Sequence, residues 1–359
     1  MATFDVLLPV KNGIDYLAEA IDSIVLQTFQ DWRLLVLDHG SSDGSLELAL
    51  TYADIDPRIE VHQLPHAEGL AGLLNAGLDL CQGKYVLRQD ADDISLPERM
   101  AVLAAALEAD PALVLVGSLG DVVDAQRRKI GVLDMPTGQH GVRVATPFRT
   151  PVAHPTVAMR LDAIRRLGAR YGSDFIGAMP QHKRIQVPGL AEDYFLFGQL
   201  ALVANCLNVN RSLIQYRWHG GNVGATKYVD QTQVALNISR YLTDSLAIMH
   251  GVDSVDPAPF CNHGVNLIQF NGRSDFSVEY AQLERLLRKV MPDSDELRRE
   301  LSYRKAISNR TGLLMGTRYL AHAARYGVRH VEWRTVRSWL IRDLKKQPIL
   351  TLTSSGLTA

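Results

Sequence analysis

Three carboxylates crowd the segment VLRQDADDISLPERM (residues 86–100): Asp90, Asp92 and Asp93 follow an apolar run that reads as the end of a strand. Like charges that close repel, so either a cation sits among them or they are solvated in a turn. In extended backbone Asp90 and Asp92 point the same way. Two hard oxygen donors on one side suit Mg²⁺ or Mn²⁺, which keep waters and are completed by substrate phosphates. An acidic turn capping the next helix, with Asp93 or Ser95 as N-cap, accounts for the same residues. A second pair, Glu192-Asp193, opens the helical pattern AEDYFLFGQLALVA. Acids there can accept a proton in general-base chemistry or simply complement the helix dipole, which would lower their pKa. His219 precedes Gly220-Gly221, as an ordinary turn histidine would.

The elements that must hold these groups alternate between strand and helix. Phe4–Val10, Arg33–Asp38, Ile59–Pro65, Lys84–Gln89 and Ala112–Val123 read as strands, with helical spacing between them and a further helix over Pro97–Ala109. That order predicts βαβ units and a mostly parallel sheet flanked by helices, an α/β class. Ligands of such sheets bind beyond the carboxyl ends of the strands, and Asp38, Asp90 and Asp92 lie just past such ends. Residues 126–224 keep a mixed pattern, with strands at PTVAMR, CLNVN and LIQYRWH. From Lys227 onward the pattern is helical, with almost no strand signal.

Composition narrows the classes further. The 359 residues carry a net charge of −1, with 47% hydrophobic and 21% charged side chains, so no global field points to nucleic acid and a full core is attainable. Three scattered cysteines, Cys81, Cys206 and Cys261, form no CxxC pair, which fits a reducing compartment. No basic segment precedes the first apolar run and no apolar run is long enough to span a bilayer, so a cytoplasmic protein is expected. Neither GxGxxG nor GxxxxGK[ST] is present, so dinucleotide and P-loop readings lack their phosphate cradle.

Six segments in order, LLPVKNG, AIDSIVLQTFQDWRLLVLDHGSSDGS, GLAGLLNAGLDLCQGKYVLRQDADDISLPERM, HPTVAMR, LAEDYFLFGQLAL and YRWHGGNV, resemble the successive motifs of family 2 inverting glycosyltransferases of GT-A fold. The likeness spans about residues 3–225. It implies a GT-A catalytic domain over 1–225, its nucleotide-binding half about 1–125 and its acceptor half about 126–225, followed by a helical region over 226–359. It places Pro9, Val10, Asp38 and His39 at the nucleoside. Asp90-Ala91-Asp92 matches the family's DxD motif, whose second aspartate contacts Mn²⁺ or Mg²⁺ on the donor diphosphate. Asp193 matches the general base, and His219 a histidine holding metal or phosphate. The implied partners are a nucleoside-diphosphate sugar, UDP-sugar foremost, and a glycan or lipid-linked acceptor, in bacterial surface-polysaccharide assembly. A sugar-nucleotide pyrophosphorylase would need a glycine- and arginine-rich loop that LLPVKNGIDYL does not offer. A non-catalytic nucleotide or sugar binder would be expected to have lost a motif acid, and both Asp92 and Asp193 remain.

Some positions depart from the resemblance. The family's acid pair after the second strand is here Asp38-His39, which loosens the expectation of uridine. Leu74-Asn75 replaces a common basic residue, and Lys11 replaces a common aromatic. The loop Tyr171–Gly189, with Met179 through Arg184, is long enough to serve as a lid or acceptor wall. In the tail, residues 318–346 hold eight basic side chains against Glu332 and Asp343, with Trp333, Val336, Leu340 and Leu344 on one helical face. That pattern suits either contact with the inner face of a membrane, or packing on the domain or a second subunit.

Overall fold

The computed structural model describes residues 2–172, 175–181, 185, 187, 189–219, 227–262, 267–270, 272–345, 351–353 and 356–358, with backbone only at 342–345 and 356–358. It divides into two compact units: residues 1–139, 152–178 and 187–222 form the first, and 140–151, 179–186 and 223–359 the second.

In chain order the elements are β1 (Phe4–Val10), α1 (Ile14–Val25), β2 (Trp32–Asp38), α2 (Ser45–Ile55), β3 (Ile59–Gln63), α3 (Gly69–Leu80), β4 (Tyr85–Arg88), β5 (Ile94–Ser95) and α4 (Arg99–Ala109). There follow β6 (Leu113–Val123), β7 (Lys129–Leu133), α5 (Gly138–Ala145), β8 (Ala158–Arg160), α6 (Leu161–Leu167), α7 (Glu192–Val203) and β9 (Asn205–Arg217).

Strand β1 is buried along its whole length because helices cover both sheet faces. Phe4, Val6, Leu8 and Val10 pack with Leu17, Ile21 and Ile24 of α1 and with Met100, Leu103 and Leu107 of α4. Leu7 faces α3, where Gly77 lies so close that a Cβ would stand 2.6 Å from Leu37 Cδ1 and 3.0 Å from Leu7 Cδ2. Only glycine lets that helix settle onto the strands.

The sheet order is β3-β2-β1-β4-β8-β6-β9-β5, with β7 against β6. Strands β3, β2, β1 and β4 are parallel, as the alternating pattern predicts. β8 enters antiparallel between β4 and β6. The chain runs outward from β1 through β2 to β3 and then returns to β1's other side as β4. This switch leaves a crevice beyond the ends of β1 and β4.

Several boundaries differ from the sequence reading. Residues 205–217 form one strand, β9, rather than two, because register shifts against β6 let it bend without breaking. In PTVAMR only Ala158–Arg160 is strand, and His154–Thr156 makes a 3₁₀ turn. Helix α4 starts at Arg99 instead of Pro97, and neither Asp93 nor Ser95 caps it.

The second unit contains α8 (Tyr228–Met249), α9 (Ser277–Val290), α10 (Asp295–Ile307), α11 (Gly312–Tyr326) and α12 (His330–Lys345). Against expectation it also has a small sheet: β10 (Gln269–Phe270), β11 (Thr351–Thr353) and β12 (Gly356–Thr358). Its strands are two or three residues long, too short for a period-2 pattern to register in the sequence. Leu267, Tyr303, Ile307, Met315, Tyr319 and Val336 form a core there.

Candidate functional site

The crevice is a cleft of about 420 Å³ lined by the β1 end (Pro9–Gly13), Asp15 and Tyr16 of α1, Leu70, the β4 end (Arg88, Asp90, Ala91, Asp92) and His219. A buried scaffold holds the acidic turn in shape. Gln89 Nε2 donates to the carbonyls of Asp90 (3.0 Å) and Asp93 (2.8 Å), and its Oε1 accepts from Ser95 Oγ and Arg99 Nη1. Arg99, fully buried, donates through Nη2 to the carbonyls of Arg88 and Pro155, both at 2.7 Å. The turn's exit is tied to β9: Ile94 pairs with Gln215 and Ser95 with Ile214.

Arg217, at the end of β9, completes the clamp. Its amide donates to Asp93 Oδ1 (2.8 Å), Nε to the Asp92 carbonyl (2.9 Å) and Nη1 to the Ala125 carbonyl (2.9 Å). Nη2 pairs with Glu19, and the guanidinium lies 4.5 Å from the Tyr16 ring centroid. Two residues on, His219 Nε2 comes within 3.0 Å of Asp92 Oδ2.

Carboxylate oxygens of Asp90, Asp92 and Asp93 lie within 4.8 Å of one another. Asp93 is completely buried, and its Oδ2 has no hydrogen-bond partner among the described residues. A buried carboxylate oxygen without a donor is costly, and this group together with the part-exposed carboxylates of Asp90 and Asp92 and a neighbouring imidazole fits a hard divalent cation. The alternative of a solvated capping turn does not fit: the acids cap no helix and one of them is sealed from water. Arg88 is the balancing charge at hand, its Nη2 2.5 Å from Asp90 Oδ1.

Burial raises the pKa of Asp90 and raises that of Asp93 well above the usual carboxylate range, against the pull of Arg88 on the first and of the Arg217 amide on the second. Glu192 and Asp193 begin α7 as the sequence predicts, after Ala191 in a left-handed conformation (φ 55°). The helix dipole and amide contacts would lower the Asp193 pKa, but desolvation dominates and pushes it to about 6. Glu192 rises to about 7, through burial first and the charge of Asp193 second. Asp90 and Arg88 act on both groups, the first raising and the second lowering their pKa. The phenol of Tyr216 feels Asp90, Asp92, Asp93 and Asp193 together, so the α7 acid and the β4 acids share one neighbourhood.

Of the residues singled out from sequence, Pro9, Val10, Asp90, Ala91, Asp92 and His219 line the cleft, as does Lys11. Asp193 is not among the lining residues but lies within electrostatic reach of Asp90. Asp38 and His39 are beside Val10 at the end of β2 without lining it. The Asp38 carboxylate accepts from the amides of Gly40 (3.0 Å) and Ser41 (3.2 Å). His39 Nε2 faces the Ala67 carbonyl at 2.9 Å, which leaves Nδ1 as its acceptor. Asn75, where a base was expected, grips the backbone of Tyr171 through both amide atoms (2.9 and 3.0 Å). Of the loop considered as a lid, His182, Lys183 and Arg184 lie outside the described residues. Gln89, Arg99 and Arg217 escaped sequence reading.

The profile of glycosyl transferase family 2 matches residues 5–168. A glycosyltransferase of Haemophilus influenzae is 25% identical over 243 residues, 66% of this chain and 71% of that protein. The O-antigen biosynthesis glycosyltransferase WbnJ of Escherichia coli is 28% identical over 161 residues, 44% of this chain and 62% of WbnJ. The crystal structure of S. aureus TarS 1–349 in complex with UDP-GlcNAc superposes with a TM-score of 0.50 at 16% identity, covering 99% of this chain and 95% of that one; it speaks to the fold.

Proposed function

This chain belongs to glycosyl transferase family 2 through residues 5–168, and from that premise we propose a metal-dependent, inverting transfer of one sugar from a nucleoside-diphosphate donor to a glycan or lipid-linked acceptor. One observation carries the reading: the cleft at the β1/β4 switch point is lined by Asp90, Asp92 and His219, with a carboxylate oxygen of the buried Asp93 within 4.8 Å of those of Asp90 and Asp92 and with Asp193 in electrostatic reach. Asp92, His219 and the buried Asp93 would hold Mn²⁺ or Mg²⁺, which when bound supplies Lewis-acid stabilisation of the departing diphosphate. Pro9, Val10 and the turn after β2 at Asp38-His39 would seat the nucleoside, with Ala91 letting the backbone approach it. Lys11, at the cleft mouth, adds a positive charge for the phosphates.

The chain's own chemistry is a single displacement. Asp193 accepts the acceptor hydroxyl's proton as that oxygen attacks the anomeric carbon, while the bond from that carbon to the diphosphate oxygen breaks with its electron pair leaving on phosphate. A group with pKa near 6 is mostly ionised at neutral pH and still basic enough to hold the proton. Attack opposite the leaving group inverts the anomeric centre. A uridine donor and surface-polysaccharide assembly are supported by the names of the relatives, UDP-GlcNAc for TarS and O-antigen for WbnJ. The test is NMR of the product anomer with a hydrolysis-resistant acceptor. Inversion is expected in the wild type, with turnover reduced about 10²–10⁴-fold in Asp193→Asn; retained configuration or an active variant would overturn the assignment.

A further inference from the structure

Helix α11 shows the second unit only part of its surface. Met315, Tyr319 and His322 are buried, whereas Leu313 is 86% and Leu320 67% exposed. At 100° per residue, Leu320, Leu313, Ala324, Thr317, Ala321 and Leu314 follow one another across an arc of about 120° opposite those buried residues. The α11 stripe is followed by Val328, 63% exposed in the turn between the helices, while on α12 Trp333 stacks on the buried Tyr319 and Ile341 is 40% exposed. It is not the face marked in the sequence, since Val336 is fully buried and Leu340 packs against the same core.

Along the segment itself the charges are nearly all of one sign. Residues 311–341 contain Arg318, Arg325, Arg329, His330, Arg334 and Arg337 against a single acid, Glu332. Glu332 is buried and paired with Arg299 at 2.9 Å and His322 at 3.3 Å. Elsewhere in this unit several exposed arginines have acids beside them: Arg288 with Glu284, and Arg298 with Asp293 and Asp295. A second copy of the face would bring like charges together, and a phosphate-tracking site would not centre on bare leucines.

We infer that the α11–α12 face docks on a bilayer containing anionic lipid. Leu313, Leu320 and Val328 enter the acyl boundary, with the helices in the plane of the surface. The arginines extend along the apolar edge to the headgroup phosphates. Given the transferase reading, on which this step rests, such docking would bring the enzyme to acceptors anchored in lipid. The docking itself depends on none of the cleft residues.

Flotation of the full chain with vesicles tests this. Phosphatidylcholine alone is compared with phosphatidylcholine containing about one-third phosphatidylglycerol, an anionic surface of the kind that attracts basic segments. Binding is expected to the anionic vesicles only, to weaken in high salt, and to fall about tenfold in Leu313→Asp/Leu320→Asp and in Arg325→Glu/Arg334→Glu. Nucleotide-induced thermal shift reports whether each variant retains its fold and cleft. No flotation of the wild type, or undiminished flotation of both variants, overturns the inference. A dimer seen by light scattering that Leu313→Asp/Leu320→Asp disperses, without vesicle binding, assigns the face to self-association and also overturns it. Failure of docking with intact donor turnover leaves the transferase reading standing.

Discussion

At the scale of single residues the site is a store of unfavourable carboxylates. Asp90, Asp93, Glu192 and Asp193 all have raised pKa values, with burial the first cause in each. A carboxyl whose folded pKa lies above its unfolded value contributes stability fully below the unfolded value, near 4, and loses it as pH rises through the folded value. With Asp193 pushed to about 6 and Glu192 to about 7, that loss runs from about 4 to about 7, its upper part falling between 6 and 7. His154, buried with a lowered pKa, acts in the opposite sense, but only below its unfolded pKa of about 6.5. The chelated protein should therefore have a Tm that falls as pH rises from about 6 to 8; scanning calorimetry showing a rising curve would contradict this. Catalysis should show the complementary limb: kcat/KM declines as pH drops through about 6, where Asp193 takes up a proton. A limb near pH 4 would mean that another group is the base. Arg217 is a positioning residue whose contacts reach the Asp92 carbonyl and Asp93 carboxylate. Arg217→Gln should cost about 3 kcal/mol in urea unfolding and weaken Mn²⁺ binding about 10–100-fold. Unchanged Mn²⁺ affinity in titration would show that the clamp does not shape the ligands.

At the scale of elements, the site depends on two short pieces of backbone that carry little periodic signal. The pairing of β5, only two residues long, with β9 brings the acidic turn to the strand that ends beside His219. Ala191, at φ 55°, turns the chain into α7 just before its acids; a non-glycine residue there stores strain next to a functional group. The long elements were legible. β1, β2, α1 and α3 emerged from apolar spacing because each buries a complete face, and β1 both faces. β9 was divided in two because its register shifts interrupt the alternation. The clamp by Gln89, Arg99 and Arg217 was invisible because charged and amide side chains in sequence look like surface until packing encloses them. Close packing of α3 on the sheet gives a direct check. Gly77→Val should destabilise by about 3 kcal/mol through overlap with Leu37 and Leu7, read as a lowered urea midpoint. A neutral substitution would mean that the helix can lift from the strands without loss.

At the scale of the whole molecule, the α/β class and the rim location of the acids were readable because strand order and the ends of parallel strands constrain where ligands bind. Fold and cleft then assigned the charges more sharply than residue types could. The sequence left a cation and a solvated turn equally open for Asp90, Asp92 and Asp93, and a sealed, unpartnered Asp93 oxygen favours the cation. Donor and acceptor identity were less legible, because Asp38 bonds its own turn and His39 faces Ala67. Among the described residues no helix is long and apolar enough to cross a membrane; the lipid contact proposed above lies on the exposed surface of α11. The central claim is that the β4 acids bind a nucleoside diphosphate through a divalent cation. Calorimetric titration of UDP and GDP into the wild type and Asp92→Asn, with Mn²⁺ and with chelator, tests it most directly. One nucleotide should bind only with Mn²⁺, about 10–100-fold more weakly in Asp92→Asn; binding that ignores both the chelator and the substitution would contradict it.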